Sequence, residues 1–192
     1  RLEEYEVRIA SYFNLNLVAS EIDRLYFENL GIENLYYLPN GVEIEENYKE
    51  VKIKQNEIVF FANLRAYPNQ DAIIYFYRKI FPMVKKEIKD INLTVVGSQV
   101  PPHIYSLFKN DNSVKVYSDV EDIKSYIQDK TLSVAPMRIS VGIQNKILQS
   151  MALKVPVVAT TIAKGSIEAR DGKEILLADN PEEFAKKIVS LL

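Results

Sequence analysis

Apolar and polar positions along this chain follow two rhythms. Leu2, Tyr5, Ile9 and Tyr12 or Phe13 recur at helical spacing. Leu15–Ala19 reads as a short strand, and Ser20 with Asp23 three residues on predicts a cap for a helix from about Glu21 to Leu30, ending at Gly31. Leu35–Leu38 is strand-like, and Pro39-Asn40-Gly41 is turn chemistry. The charged, weakly patterned stretch from Glu43 to Asn56 then breaks the rhythm and predicts a linker or domain boundary.

From Glu57 the pattern becomes regular. Strands are expected at Ile58–Ala62, Ile91–Val96, Val114–Tyr117, Leu132–Ala135, Val155–Val158 and Glu174–Leu177. Between them lie a long helix reaching about Ile88, then Pro102–Phe108, Ile123–Ile127 and a polar-faced helix after Ser140. A terminal helix starts at Pro181, with Asn180 ahead of it as cap. Strands that are continuous apolar runs, alternating strictly with helices, predict an α/β fold: a Rossmann-like parallel sheet with helices on both faces. Ligands of such sheets bind beyond the carboxyl ends of the strands.

The stretch from Arg138 to Thr160 stands out against that frame. Ile143, Ile147, Leu148 and Met151 form an apolar stripe, while Asn145, Lys146 and Gln149 share the other side. Ser140 is expected as N-cap, and Gly142 in the first turn would admit another molecule close to the backbone of a helix end that favours anions. The same pattern also describes an ordinary amphipathic helix with a solvated face. Four strand ends supply further chemistry. Arg65 follows the first strand as a phosphate partner or a surface arginine, and Gly97-Ser98 reads as a tight turn. Of Asp119 and Asp122, Asp122 is expected as a helix cap, with the Val120 backbone placed to touch a base, and Arg138 joins Lys146 beside one helix N-terminus.

Composition narrows the classes. Of 192 residues 47% are apolar and 26% charged, and a net charge of -2 argues against nucleic-acid binding through a strong basic field. Without cysteine, and with His103 as the single histidine, thiolate chemistry and histidine metal cages are excluded. His103 reads as a surface residue, and Tyr75, Tyr77, Tyr105 and Tyr126 as packing residues at helical positions. No apolar run is long enough to span a bilayer and no signal-peptide h-region opens the chain, so it is expected to be cytoplasmic. The P-loop, the dinucleotide fingerprint, the Gly-x-Ser-x-Gly elbow and any Asp-x-Asp are missing.

Four stretches together resemble one family: Leu38-Pro-Asn-Gly-Val42, Tyr67-Pro-Asn-Gln-Asp-Ala72, Thr94-Val-Val-Gly97, and Gly142 to Ala152 leading into Pro156-Val-Val-Ala-Thr160. The chain is similar to the donor-binding C-terminal half of GT-B-fold, group 1 (family 4) retaining glycosyltransferases that build bacterial surface polysaccharides. The resemblance implies that residues 1–38 are the tail of the N-terminal domain, 39–56 the interdomain linker and 57–192 the nucleotide-sugar-binding domain. It implies a nucleotide-diphosphate sugar as substrate, with no cofactor and no metal. A glycan or lipid-linked acceptor would be held by the N-terminal domain, and the whole protein could associate peripherally with a membrane. By position, Lys146 and Arg138 would stabilise the leaving diphosphate. Asn63, Arg65, Gly97, Val120, Gly142, Gln144, Asn145 and Gln149 would contact the donor. The sequence departs from the family at Val141 and Gln149, where two glutamates are usual, at the strand-end Ala62 and at the helix-ending Lys154, both usually glycine. These departures motivate a second reading, a catalytically degenerate GT-B-like binding or regulatory module.

Overall fold

The structure, a computed structural model, describes residues 2–44, 51–140 and 142–192. Its N-terminal part is a small unit. Helix α1 (Leu2–Ala10) leads to strand β1 (Asn16–Val18), helix α2 (Glu21–Asn29) and strand β2 (Leu35–Tyr37), and the two strands pair in parallel. Ser20 caps α2 as expected, accepting from the Asp23 N–H at 3.1 Å, and Gly31 ends the helix with φ +86. Part of the expected linker, residues 45–50, lies outside the described residues, as does Val141.

The larger unit is a six-stranded, wholly parallel sheet. Its strands are β3 (Glu57–Asn63), β4 (Asn92–Ser98), β5 (Val114–Ser118), β6 (Leu132–Ala135), β7 (Val157–Ala159) and β8 (Leu176–Leu177), in the order β5-β4-β3-β6-β7-β8. Successive residues of β3 go to opposite faces. Ile58 and Phe60 join the core with Phe76, Phe81, Phe184 and Ile188, while Val59 and Phe61 pack with Val96, Ile127 and Val155. Burial on both faces is why the strands read as unbroken apolar runs. No helix among the described residues is long and apolar enough to cross a membrane.

Three expectations change. The long helix is α3 (Tyr67–Tyr75), a π-helical turn (Phe76–Ile80) and α4 (Phe81–Glu87). Pro82 cannot donate to the carbonyl four residues back and crowds it, and the wider turn just ahead relieves that clash while keeping Phe76, Ile80, Phe81 and Val84 buried. Gly97 and Ser98 are not a turn but the last two residues of β4, and the chain turns at Gln99 with φ +51. After α5 (Pro102–Phe108) and α6 (Lys124–Ile127), helix α7 spans Asn145–Ala152, starting well beyond Ser140. Gly142 has φ +68, outside helical space, so it belongs to the entering loop, and the Ser140 hydroxyl accepts from the Gln144 side chain at 2.9 Å. Helices α8 (Thr161–Lys164) and α9 (Pro181–Val189) close the chain, and Asn180 caps α9 by accepting from the Glu183 N–H at 2.9 Å.

Candidate functional site

The strand order reverses between β3 and β6: from β3 the chain steps outward through β4 to β5, then returns to β6 and steps the other way. Loops leaving β3 and β6 therefore part in opposite directions and open a crevice at the carboxyl edge, the position where open α/β sheets bind ligands. A cavity of about 410 Å³ lies there, lined by the ends of β3 and β4, by Asp119, Val120 and Ile123 after β5, and by Gln144, Asn145, Lys146 and Gln149 of α7 and its N-cap.

Its floor is held close by a glycine. A Cβ on Gly97 would lie 2.8 Å from the Ala62 carbonyl oxygen and 2.9 Å from Leu64 Cδ1, so the β3–β4 contact admits no side chain here. The β5 side is fixed by Asp119, itself at φ +54, whose carboxylate accepts from the Gln99 N–H at 2.9 Å and from the Ser118 hydroxyl. Those two bonds, the hydroxyl first, hold it below the usual carboxylate range and set the Val120 backbone at the cavity wall. Asp122, one residue ahead of the α6 N-cap Ile123, accepts from the Lys124 N–H at 3.0 Å.

Lys146, in the first turn of α7, supplies the positive charge. Its Nζ donates to Asn69 Oδ1 at 2.7 Å, lies 3.5 Å from Met137 Sδ and sits 5.3 Å from the centre of the Phe60 ring. Burial pushes its pKa down to about 8, and among the described residues no carboxylate stands against it. The helix presenting it is pinned from beneath by two buried hydroxyls: Ser133 donates to Ser150 at 2.7 Å, and Ser150 donates to the Lys146 carbonyl at 2.9 Å. The loop after β3 is strapped by the first turn of α3, where Asn69 Nδ2 donates to the Asn63 carbonyl and Gln70 Nε2 to the Leu64 carbonyl, both at 2.8 Å.

Of the residues singled out from the sequence, Asn63, Gly97, Val120, Gln144, Asn145, Lys146 and Gln149 line this cavity. Arg138, Arg65 and Gly142 do not. The Arg138 fork is held by the Asp71 carboxylate of α3, with Nε to Oδ2 at 3.0 Å, and lies 4.7 Å from the Tyr75 ring centre. Its charge is thus matched within the protein, and it ties the loop entering α7 to α3. Arg65 is exposed beside its Asx turn, where its N–H donates to Asn63 Oδ1 at 3.0 Å. An added Cβ on Gly142 meets nothing within 4 Å, so its φ, rather than a close approach, calls for glycine. His103 is a surface residue bonded to Gln70 at 3.1 Å.

Gln149 also lines a second cavity of about 240 Å³, between α6 and α7 and covered by residues 41–43. Asn40 Nδ2 donates to Asn145 Oδ1 at 2.9 Å, fastening that covering segment to the start of α7. Two contributors escaped the sequence reading. Asn69 falls in the Tyr67–Ala72 stretch, where a polar residue in the first helical turn after a strand end is a usable signal. The Ser133–Ser150 pair offers no signal, since the two are 17 positions apart on a strand and a helix.

The family model described as "Glycosyl transferases group 1" matches residues 55–192. A curated relative from Klebsiella pneumoniae, an "Uncharacterized 44.6 kDa protein in cps region", is 26% identical over 204 residues, covering 97% of this chain and 51% of the relative. The chain thus spans about half the length of that protein. Among solved structures, a variant of S. aureus TarM in complex with fondaparinux, alpha-GlcNAc-glycerol and UDP superposes with a TM-score of 0.83 at 22% identity, over 98% of this chain and 39% of that one. Anabaena HepE in complex with UDP-glucose gives a TM-score of 0.74 at 16% identity, over 98% of this chain and 57% of that one. At these identities the two structures speak for the fold.

Proposed function

Because this chain belongs to the group 1 glycosyl transferases, we propose that its larger unit is the donor half of a GT-B enzyme that moves a sugar from a nucleotide diphosphate to an acceptor hydroxyl in bacterial surface polysaccharide synthesis. The observation that carries the reading is Lys146, a half-buried ammonium without a carboxylate partner among the described residues, at the switch-point cavity of a parallel sheet. A diphosphate supplies the missing counter-charge. On this reading Lys146 and the α7 N-terminus bind the two phosphates, the Val120 backbone meets the base, and Gln149 bonds the ribose hydroxyls as an uncharged partner. When the bond from the anomeric carbon to the diphosphate oxygen breaks, the electron pair stays on the diphosphate. Lys146 then faces the growing charge from a preorganised position, an electrostatic role of the oxyanion-hole type. The acceptor oxygen forms the new bond with retention, its proton leaving with the diphosphate. Arg138 acts at one remove, by holding the loop that enters α7. TarM and HepE were captured with UDP and UDP-glucose, which makes UDP the first ligand to try. A cytoplasmic site of action, a glycan or lipid-linked acceptor, and peripheral membrane contact of the whole protein belong to the same proposal, as does the division at residues 39–56.

Calorimetric titration with UDP and GDP tests it. The expected result is millimolar or tighter binding of one of them at pH 7, weakened at least about tenfold in Lys146→Ala, a loss of about 1.4 kcal/mol. The affinity should hold near pH 7 and fall as pH rises through about 8, where Lys146 loses its proton. Binding of neither nucleotide would favour the degenerate module suggested by Val141 and Gln149.

A further inference from the structure

We propose that Asn69 is a positioning residue for the diphosphate, a carboxamide fixed at both ends that aims the Lys146 ammonium into the cavity and leaves its charge unspent. The inference rests on the donor-binding reading and adds to it a residue to which the sequence assigned no role.

Asn69 stands in the first turn of α3, and its side chain bridges two elements that shape the cavity. Nδ2 donates to the carbonyl of Asn63 at the end of β3, at 2.8 Å, and Oδ1 accepts from Lys146 Nζ on α7, at 2.7 Å. A carbonyl can only accept and an ammonium can only donate, so one amide orientation alone satisfies both partners. Among the described residues the other groups against the ammonium are uncharged: the Met137 thioether from the loop after β6 and the Phe60 ring from β3. The carboxylates on the surrounding elements are engaged elsewhere. Asp71 of α3 holds Arg138, and Asp119 across the cavity accepts from Gln99 and Ser118.

The residue type matters. An aspartate at 69 would put a counter-ion on Lys146 and a negative charge where a phosphate has to sit, and it would face the Asn63 carbonyl with no proton to donate. An alanine would free the four-carbon lysine stem to sample its rotamers, a loss of preorganisation. The asparagine orders the cation without neutralising it.

The test uses UDP as probe, with two readouts on the chain. Binding is followed by NMR chemical-shift titration, which resolves weak affinity, and the Lys146 side-chain amine is titrated by NMR in the nucleotide-free protein. Asn69→Ala is expected to keep the thermal midpoint within a few degrees and weaken UDP about five- to twentyfold at pH 7. Asn69→Asp should weaken it further and move the Lys146 midpoint up by a unit or more. In a Lys146→Ala background, Asn69→Ala should add little, because it acts through the missing ammonium. The inference is overturned if folded Asn69→Ala binds UDP like the wild type, or if its loss persists in full without Lys146. It is overturned equally if Asn69→Asp leaves the Lys146 midpoint in place. Should the wild type bind neither UDP nor GDP, the donor reading falls, and the amine titration still decides whether Asn69 governs the ammonium.

Discussion

A lysine ammonium lodged between the Phe60 ring and the Met137 thioether, with the Asn69 carboxamide to bond and no counter-ion among the described residues, carries an uncompensated desolvation cost. Burial lowers Lys146 from the lysine value of 10.5 to about 8. Below pH 8 the side chain is charged in folded and unfolded chains alike, and the folded one bears the whole desolvation penalty. Between pH 8 and 10.5 the folded chain sheds the proton while the unfolded chain keeps it, so stability rises with pH over that window and the penalty disappears above it. Lys146→Met should therefore stabilise the nucleotide-free protein at pH 7 by on the order of 2 kcal/mol, after allowance for partial solvent access, with the gain shrinking toward pH 10. Urea unfolding at the two pH values checks this, and a less stable variant at pH 7 contradicts it. Arg138 marks the limit of reading charges from sequence. It stands at a strand end as Lys146 stands at a helix start, but a carboxylate 67 positions away holds it, and nothing local to Arg138 announces Asp71.

At the scale of elements, α7 concentrates both what the sequence discloses and what it hides. The apolar stripe correctly identified a helix and its buried face, because Ile147 must meet the sheet. Periodicity marks a face and not a beginning, so the start at Asn145 depended on the φ of Gly142, which the letter Gly permits without requiring. The apolar runs were legible as strands because both faces of the sheet are covered, whereas the π turn before Pro82 depends on how the helix meets the core. The C-terminus of α7 repeats the lesson with a measurable consequence. The Val155 N–H reaches the Ser150 carbonyl at 2.9 Å and the Lys154 N–H reaches that of Met151 at 3.0 Å, a Schellman pair that puts Lys154 at φ +59. A lysine there bears the left-handed strain that a glycine avoids, about 1 kcal/mol. Lys154→Gly should raise stability by about 0.5–1 kcal/mol, some 1–4 °C in the unfolding midpoint of a chain of this size, with UDP affinity unchanged. A fall in the midpoint would mean that the contacts of the lysine side chain outweigh the strain of its backbone.

On the scale of the whole molecule, the two units differ in how completely they bury themselves. The six-stranded sheet has helices on both faces and encloses its large apolar side chains. The 2–38 unit has only two parallel strands of three residues each and leaves Tyr12, Phe13, Leu17, Tyr36 and Leu38 more than half exposed. A parallel pair that short is marginal by itself, which accords with the proposal that residues 1–38 belong to an N-terminal domain. The chain covers 51% of the Klebsiella protein and 39% of TarM. On the proposed reading the donor half should bind its nucleotide alone, because Lys146, Asn69, Gly97 and the α7 N-terminus all lie within the larger unit. Transfer requires more. The acceptor hydroxyl has to be held against the anomeric carbon from across the cleft, and closing the cleft excludes the water that would otherwise compete. The expected outcome is a chain that binds UDP or GDP and forms no glycoside when given a panel of nucleotide sugars with glycan and lipid-linked acceptors. Product release followed by mass spectrometry, with the nucleotide affinity measured on the same sample, separates the two abilities. Robust product from this chain alone would place the acceptor site within the sequence described and overturn the division of labour between the two halves.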